Sequence, residues 1–299
     1  MERDMKRTII QYTTVVLAFL AGMIFMTYMT RMGNRDMTGD MAQAQLPVVY
    51  AEQDGVLYNE MHGYVEDMDG ASMRDSVIGV SEDHKVGLAL EKYNAQIKSV
   101  SYEVRSLDMS RLIEGGDDLQ AEDDGKYLHV SLTLKDLLTQ GEEYLLVLKV
   151  QTEDQDLVRF YSILTYLGTN HVQDCVDFAQ RFHEMTLTGD SDGVLNYLEQ
   201  DGSMDGKNLG YINIHSRSGP VTWGDMQVVE TGETSLRFTE LESDITALTM
   251  EYQVTNTETS EQYQVREAYR LRYTSTRIYL LAYERWTDKI LEPGRQLVE

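Results

Sequence analysis

The feature that most constrains this chain is a two-residue hydrophobic alternation that recurs along most of its length. Leu128, Val130, Leu132 and Leu134 occupy one parity of a run whose other parity is Tyr127, His129, Ser131 and Thr133. In an extended strand successive side chains point to opposite faces, so such a run buries one face and wets the other. Val86, Leu88 and Leu90 repeat the pattern, as do Val100, Tyr102 and Val104, while 143–151 and 157–166 are apolar at both parities, as in central strands. At Val48-Val49-Tyr50 and Val56-Leu57-Tyr58 two such runs flank Asp54-Gly55, a pair that supplies the positive φ angles of a tight hairpin. Short strands separated by Gly, Asp and Asn turns predict an all-β immunoglobulin-like sandwich over residues 47–168.

The period changes after Gly168. Val172, Cys175, Val176, Ala179 and Phe182 follow helical spacing behind Thr169-Asn170 as a cap and ahead of Gly189 as a stop. A second short helix is read over 194–199. Alternating segments follow at 212–216, 221–230, 245–255, 262–274 and 276–286. Helices followed by long antiparallel strands predict an α+β domain with a curved antiparallel sheet over residues 169–287. In element order, though in no motif, this resembles the cone-like fold of the nuclear-transport-factor-2-like superfamily. Residues 288–299, with Pro293-Gly294, read as a linker-like tail.

Ahead of the strands, no charged residue occurs from Thr8 to Thr30. As a helix, that stretch reaches roughly 34 Å, enough to cross a hydrocarbon core, so it reads as an N-terminal transmembrane helix. Tyr12 and Tyr28 fall near the two interfaces. Ala42-Gln43-Ala44, the downstream small-x-small site, lies too far beyond the apolar run to favour a cleaved signal peptide. Arg3, Lys6 and Arg7 precede the run, and Arg31 and Arg35 follow it. This places residues 1–7 as a cytoplasmic head, 31–46 as a juxtamembrane linker and the bulk outside the cytoplasm.

The chain holds 26 Lys and Arg against 50 Asp and Glu, a formal net charge of −24. Such a balance excludes the clustered cations of an ordinary nucleic-acid binder. A single Cys excludes a disulfide framework, and Cys175 falls on the apolar stripe of the predicted helix, as a structural thiol does. His183-Glu184 begins like a zinc-protease helix, but Leu187 stands where the second His is needed. Asp201-Gly202-Ser203-Met204-Asp205-Gly206 starts like a calcium loop, yet Ile212 replaces the bidentate Glu. Asp190-Ser191-Asp192 and the pairs Asp117-Asp118 and Asp123-Asp124 read as solvated turns. No nucleophile elbow, phosphate-binding loop or dinucleotide-binding turn occurs, and no cofactor is implied.

Against this acidic background one strand stands out. Along 262–274 one face presents Gln264, Arg266, Ala268, Arg270 and Arg272, and the other presents Tyr263, Val265, Tyr269, Leu271 and Tyr273. The arginine row either lines a cavity or docks an anionic partner, since guanidinium forks fit phosphate and carboxylate, or it pairs across strands with Glu251 or Glu284.

The segments Tyr58-Asn59-Glu60-Met61-His62-Gly63-Tyr64, Met73-Arg74-Asp75-Ser76, Ser101-Tyr102-Glu103-Val104-Arg105-Ser106, and Arg270-Leu271-Arg272-Tyr273 leading into Ile278-Tyr279-Leu280-Leu281 resemble the amino-terminal half of an uncharacterised family of single-pass membrane proteins from Gram-positive anaerobes. The resemblance implies a cell-membrane location but no activity. Together these readings give a non-catalytic, membrane-anchored, extracytoplasmic interaction module. Its partners would be membrane lipid through the anchor, and an envelope polymer or a second membrane protein. The alternative is a small-ligand carrier or enzyme using a cavity in the second domain.

Overall fold

The computed structural model describes residues 19–23, 26, 46–73, 76–93, 95–117, 119–153, 157–202 and 209–291. The chain divides into two units, Met1–Gln43 and Ala44–Glu299. In the first, the described positions are helical, with Phe19, Leu20, Met23 and Met26 exposed.

The second unit contains three five-stranded sheets. The first has the order β2-β1-β4-β8-β7 and is antiparallel throughout. Its strands are β1 (Val48–Gln53), β2 (Val56–His62), β4 (Lys85–Glu91), β7 (Ala121–Asp123) and β8 (Tyr127–Thr133). Asp54 at φ 51° and Gly55 at φ 82° turn β1 into β2.

The second sheet has the order β3-β10-β9-β5-β6. It is built from β3 (Val77–Ser81), β5 (Ile97–Arg105), β6 (Leu112–Gly116), β9 (Glu143–Thr152) and β10 (Leu157–Gly168). β3 runs parallel to β10, and the other pairs are antiparallel. β9 and β10 are the central strands that their continuous apolar runs demand, with Leu145 to Leu148 and Phe160 to Leu164 almost wholly enclosed.

The third sheet, β11-β15-β14-β13-β12, is antiparallel. It comprises β11 (Tyr211–Asn213), β12 (Val228–Leu241), β13 (Ile245–Asn256), β14 (Gln262–Tyr273) and β15 (Ile278–Lys289). Helix α1 (Val172–Thr188) precedes it, followed by the short α2 (Ser191–Leu195) and α3 (Ser218–Val221). Asn170 accepts from the Val172 amide at 3.2 Å, and Gly189 ends α1 in the left-handed region at φ 76°. The apolar stripe of α1, including Cys175 and Phe182, is buried against the sheet; Phe182 lies 5.9 Å from the Tyr269 ring and 4.9 Å from that of Tyr283.

This corrects the expected fold class of a transmembrane helix, an immunoglobulin-like sandwich and a separate α+β domain. The structure is 53% strand in three sheets. Among the described residues no helix is long and apolar enough to cross a membrane; most of the stretch from Thr8 to Thr30 lies outside them.

One hydrophobic core runs from Val49 of β1 through α1 to Tyr283 of β15. At its centre the buried Asn59 donates to the Val77 carbonyl at 2.8 Å and accepts from the Phe238 amide at 2.7 Å, while Tyr58 meets Phe238 edge to face at 5.2 Å. Periodicity marks strands but carries no information on which sheet a strand joins or which sheets share a core.

Two of the expected segments differ locally, the first being the helix expected over 194–199, which lies instead at Ser191–Leu195 as α2. The start of the expected strand 221–230 is instead the end of α3 and a turn, because Trp223 and Gly224 adopt φ 68° and 58°. β12 then continues through Thr231-Gly232-Glu233 with Gly232 at φ 86°, so a segment resembling a turn is an irregularity inside a long strand.

Candidate functional site

β14 places two chemically different rows on its two faces. Arg266, Arg270 and Arg272 are exposed on one side, while Val265, Glu267, Tyr269 and Leu271 are buried on the other.

The three arginines have separate surroundings. Arg270 grips Glu240 of β12 with both fork nitrogens, Nε to Oε2 at 3.0 Å and Nη2 to Oε1 at 2.9 Å. That hydrogen-bonded contact holds the Glu240 carboxyl below its ordinary value. Arg266 lies 4.4 Å over the Trp286 ring, a cation–π contact. Arg272 is exposed and joins no ion pair among the described residues. The carboxylate met across the strands is therefore Glu240. Glu251, the register partner of Arg266, and Glu284, which accepts from Tyr211 at 2.5 Å, are not in ion pairs with the row. The row is part of an outward sheet surface.

The buried face of β14 holds a polar cluster that the sequence reading passed over. Glu267 is fully enclosed and accepts from Tyr269 at 2.6 Å and Tyr283 at 2.8 Å. His183 of α1 presents Nδ1 to Glu267 at 3.1 Å and Nε2 to Glu230 at 3.3 Å. Burial opposes a charge on His183, but the two carboxylates outweigh it, so the imidazole titrates above its ordinary value. Burial likewise works against Glu267 ionisation, and His183, Arg285 and Tyr269 more than offset it, leaving the carboxyl below its ordinary value.

Arg285, also fully enclosed, donates to the Val221 carbonyl at 2.7 Å and the Pro220 carbonyl at 2.9 Å, with its guanidinium 3.9 Å over the Trp223 ring. The interior of the third sheet is filled by Tyr252, Tyr269, Tyr283, Phe182 and Leu248. Chemically, the cluster is a compensated set of buried charges whose carboxylate is committed to three internal donors.

A readable signal existed. Glu267 stands at an inward parity between Val265 and Tyr269, where an unpaired charge is too costly to leave. Arg285 was less accessible, because a bulge in β15 at Leu281 shifts the parity so that Leu280, Tyr283 and Arg285 all face inward.

Two of the acidic turns are held by local backbone amides, and Asp118 lies outside the described residues. Asp190 accepts from the Gly193 amide at 2.9 Å as the cap of α2, and Asp124 accepts from the Lys126 and Tyr127 amides at 2.9 and 2.6 Å. Burial raises the Cys175 thiol above its ordinary value. Among the described residues no group of three or more His, Cys, Asp or Glu is placed to hold a metal ion. Most of the loop after Gly202 lies outside the described residues.

No family model matches the chain, and no curated protein matches it. Among solved structures, an engineered protein is similar over 41% of this chain and 21% of its own, at 13% identity and a TM-score of 0.24. CopC from Methylosinus trichosporium OB3b is similar over 33% of this chain and 90% of its own, at 14% identity and a TM-score of 0.22. The chain thus spans about a fifth of the first structure's length, and likenesses at this level carry no argument about fold or activity.

Proposed function

We propose that the chain is a non-catalytic interaction module working outside the cytoplasm at the cell membrane, where it binds an anionic envelope component. The observation that carries this reading is the outward arginine row of β14, in a chain whose acidic residues outnumber its basic ones 50 to 26. A protein so charged repels anionic surfaces as a whole, so a local cationic strip determines where an anion can approach. Arg272, free of any ion pair among the described residues, is its most available member. The membrane location rests on the uncharged stretch from Thr8 to Thr30 and on the family resemblance of the strand segments.

Capture of envelope polymer by the full chain tests the proposal. Binding should weaken on raising salt from 50 to 200 mM, on the order of tenfold for two or three anionic contacts by analogy with other polyanions. It should also weaken in Arg272→Gln. Salt-independent capture, or no capture of wall or membrane material, would overturn it.

A further inference from the structure

A second cationic feature lies where α1, the end of α2 and the turn between β14 and β15 meet. These elements border a surface groove of about 470 Å³, whose walls include Phe178, Arg181, Asn196, Tyr197, Thr276 and Arg277. It adjoins a smaller space of about 160 Å³ bordered by Tyr197, Glu199, Arg277 and Tyr279.

Some described cations of this protein are matched with carboxylates, as in Lys92–Asp123, Arg105–Glu103, Lys149–Glu103, Arg270–Glu240 and Lys289–Glu261. Arg181 and Arg277 are among those that are not. Both are exposed, both border the same groove, and neither joins an ion pair among the described residues. The Arg277 guanidinium lies 3.8 Å from the Tyr279 ring centroid, a stacking contact that orders its fork. Phe178 and Tyr197, which also border the groove, meet edge to face at 5.2 Å and supply its apolar lining, while Asn196 and Thr276 supply exposed neutral polar groups.

We propose that this groove binds a saccharide carrying a phosphate or carboxylate group. Arg181 and Arg277 hold the oxyanion, the Tyr197 face packs against the sugar ring, and Asn196 and Thr276 meet its hydroxyls. Each role follows from the chemistry: a guanidinium fork matches an oxyanion, an aromatic face accepts the apolar side of a ring, and the groove has the volume of a small-ligand site. Glu199 beside the smaller space favours a ligand whose far end is uncharged. The inference rests on the reading of the protein as a binder of anionic envelope material and adds to the β14 row a second place, and a chemical form, in which such material is recognised.

Calorimetric titration of the full chain with glucose 1-phosphate, glucuronate and neutral glucose tests it. At least one of the two charged sugars should bind, and glucose should bind at least about tenfold more weakly. Binding of only one charged sugar identifies the oxyanion as phosphate or carboxylate. Arg181→Gln and Arg277→Gln should each weaken binding about tenfold with unchanged near-ultraviolet circular dichroism, Lys92→Gln just past β4 of the first sheet should leave it unchanged, and Glu199→Gln should not weaken it. Equal binding of glucose, full affinity in the double Arg181→Gln/Arg277→Gln variant, or no binding of either charged sugar would overturn the proposal. Envelope polymer captured equally by wild type and double variant would sink the groove while leaving the broader reading intact. Arginine-dependent sugar binding without polymer capture would do the reverse.

Discussion

Glu267 and His183 show how much of this molecule turns on single side chains. Removing one member of a buried charge set leaves the others uncompensated, which costs about 3 to 5 kcal/mol. Glu267→Gln keeps the shape but deprives His183 and Arg285 of their enclosed anion, so urea unfolding should show a loss of that size. A loss below about 1 kcal/mol would refute the charge-compensation account. The pH dependence follows from the same pair. His183 titrates above its ordinary 6.5 when folded, so its contribution is fully present below 6.5 and disappears as pH rises through the folded-state value. Glu267 titrates below its ordinary 4.5, so its contribution is present above 4.5 and disappears as pH falls through the folded-state value. Thermal stability should therefore decline on an alkaline limb starting above pH 6.5, and His183→Gln should show a shallower one, the remainder coming from His129, which its hydrogen bonds to Glu52 and Asp124 also hold above its ordinary value. The same slope in both proteins would count against the assignment.

Single elements were partly legible. The helix α1 follows from its apolar spacing and from Gly189, and β8, β13 and β14 follow from alternation. What escaped was phase. The bulge at Leu281 reverses which side chains of β15 face inward, and Arg285, which it turns inward, stacks on Trp223, far away in sequence. Legibility of the arginine row was similarly divided: alternation put Arg266, Arg270 and Arg272 on one face, but only folding brought Glu240 and Trp286 to them. Backbone proximity between elements also makes a prediction. At the β1–β4 pairing a side chain on Gly87 would place Cβ 2.5 Å from the Glu52 carbonyl oxygen, whereas one on Gly219 would meet nothing within 4 Å. Gly87→Ala should cost about 1 to 3 kcal/mol by overpacking. Gly219→Ala should be close to neutral in the same denaturation assay.

On the scale of the whole molecule, the shared core makes the three sheets of Ala44–Glu299 interdependent. Asn59 links them: in Asn59→Ala the buried Val77 carbonyl and Phe238 amide lose their partner, at about 1 to 3 kcal/mol for each group left unsatisfied. Calorimetry should show one cooperative transition that moves as a unit to lower temperature in this variant. Two transitions, with only one displaced, would mean that the sheets unfold independently. By itself the sequence determined the β-rich class, the length and parity of many strands, the site of the long helix and the distribution of charge, because those depend on neighbours a few positions apart. Tertiary structure alone decided the sharing of one core, the burial of Glu267 and Arg285, and the meeting of Arg181 with Arg277 at one groove. Those depend on residues far apart in sequence, whose proximity no local period records.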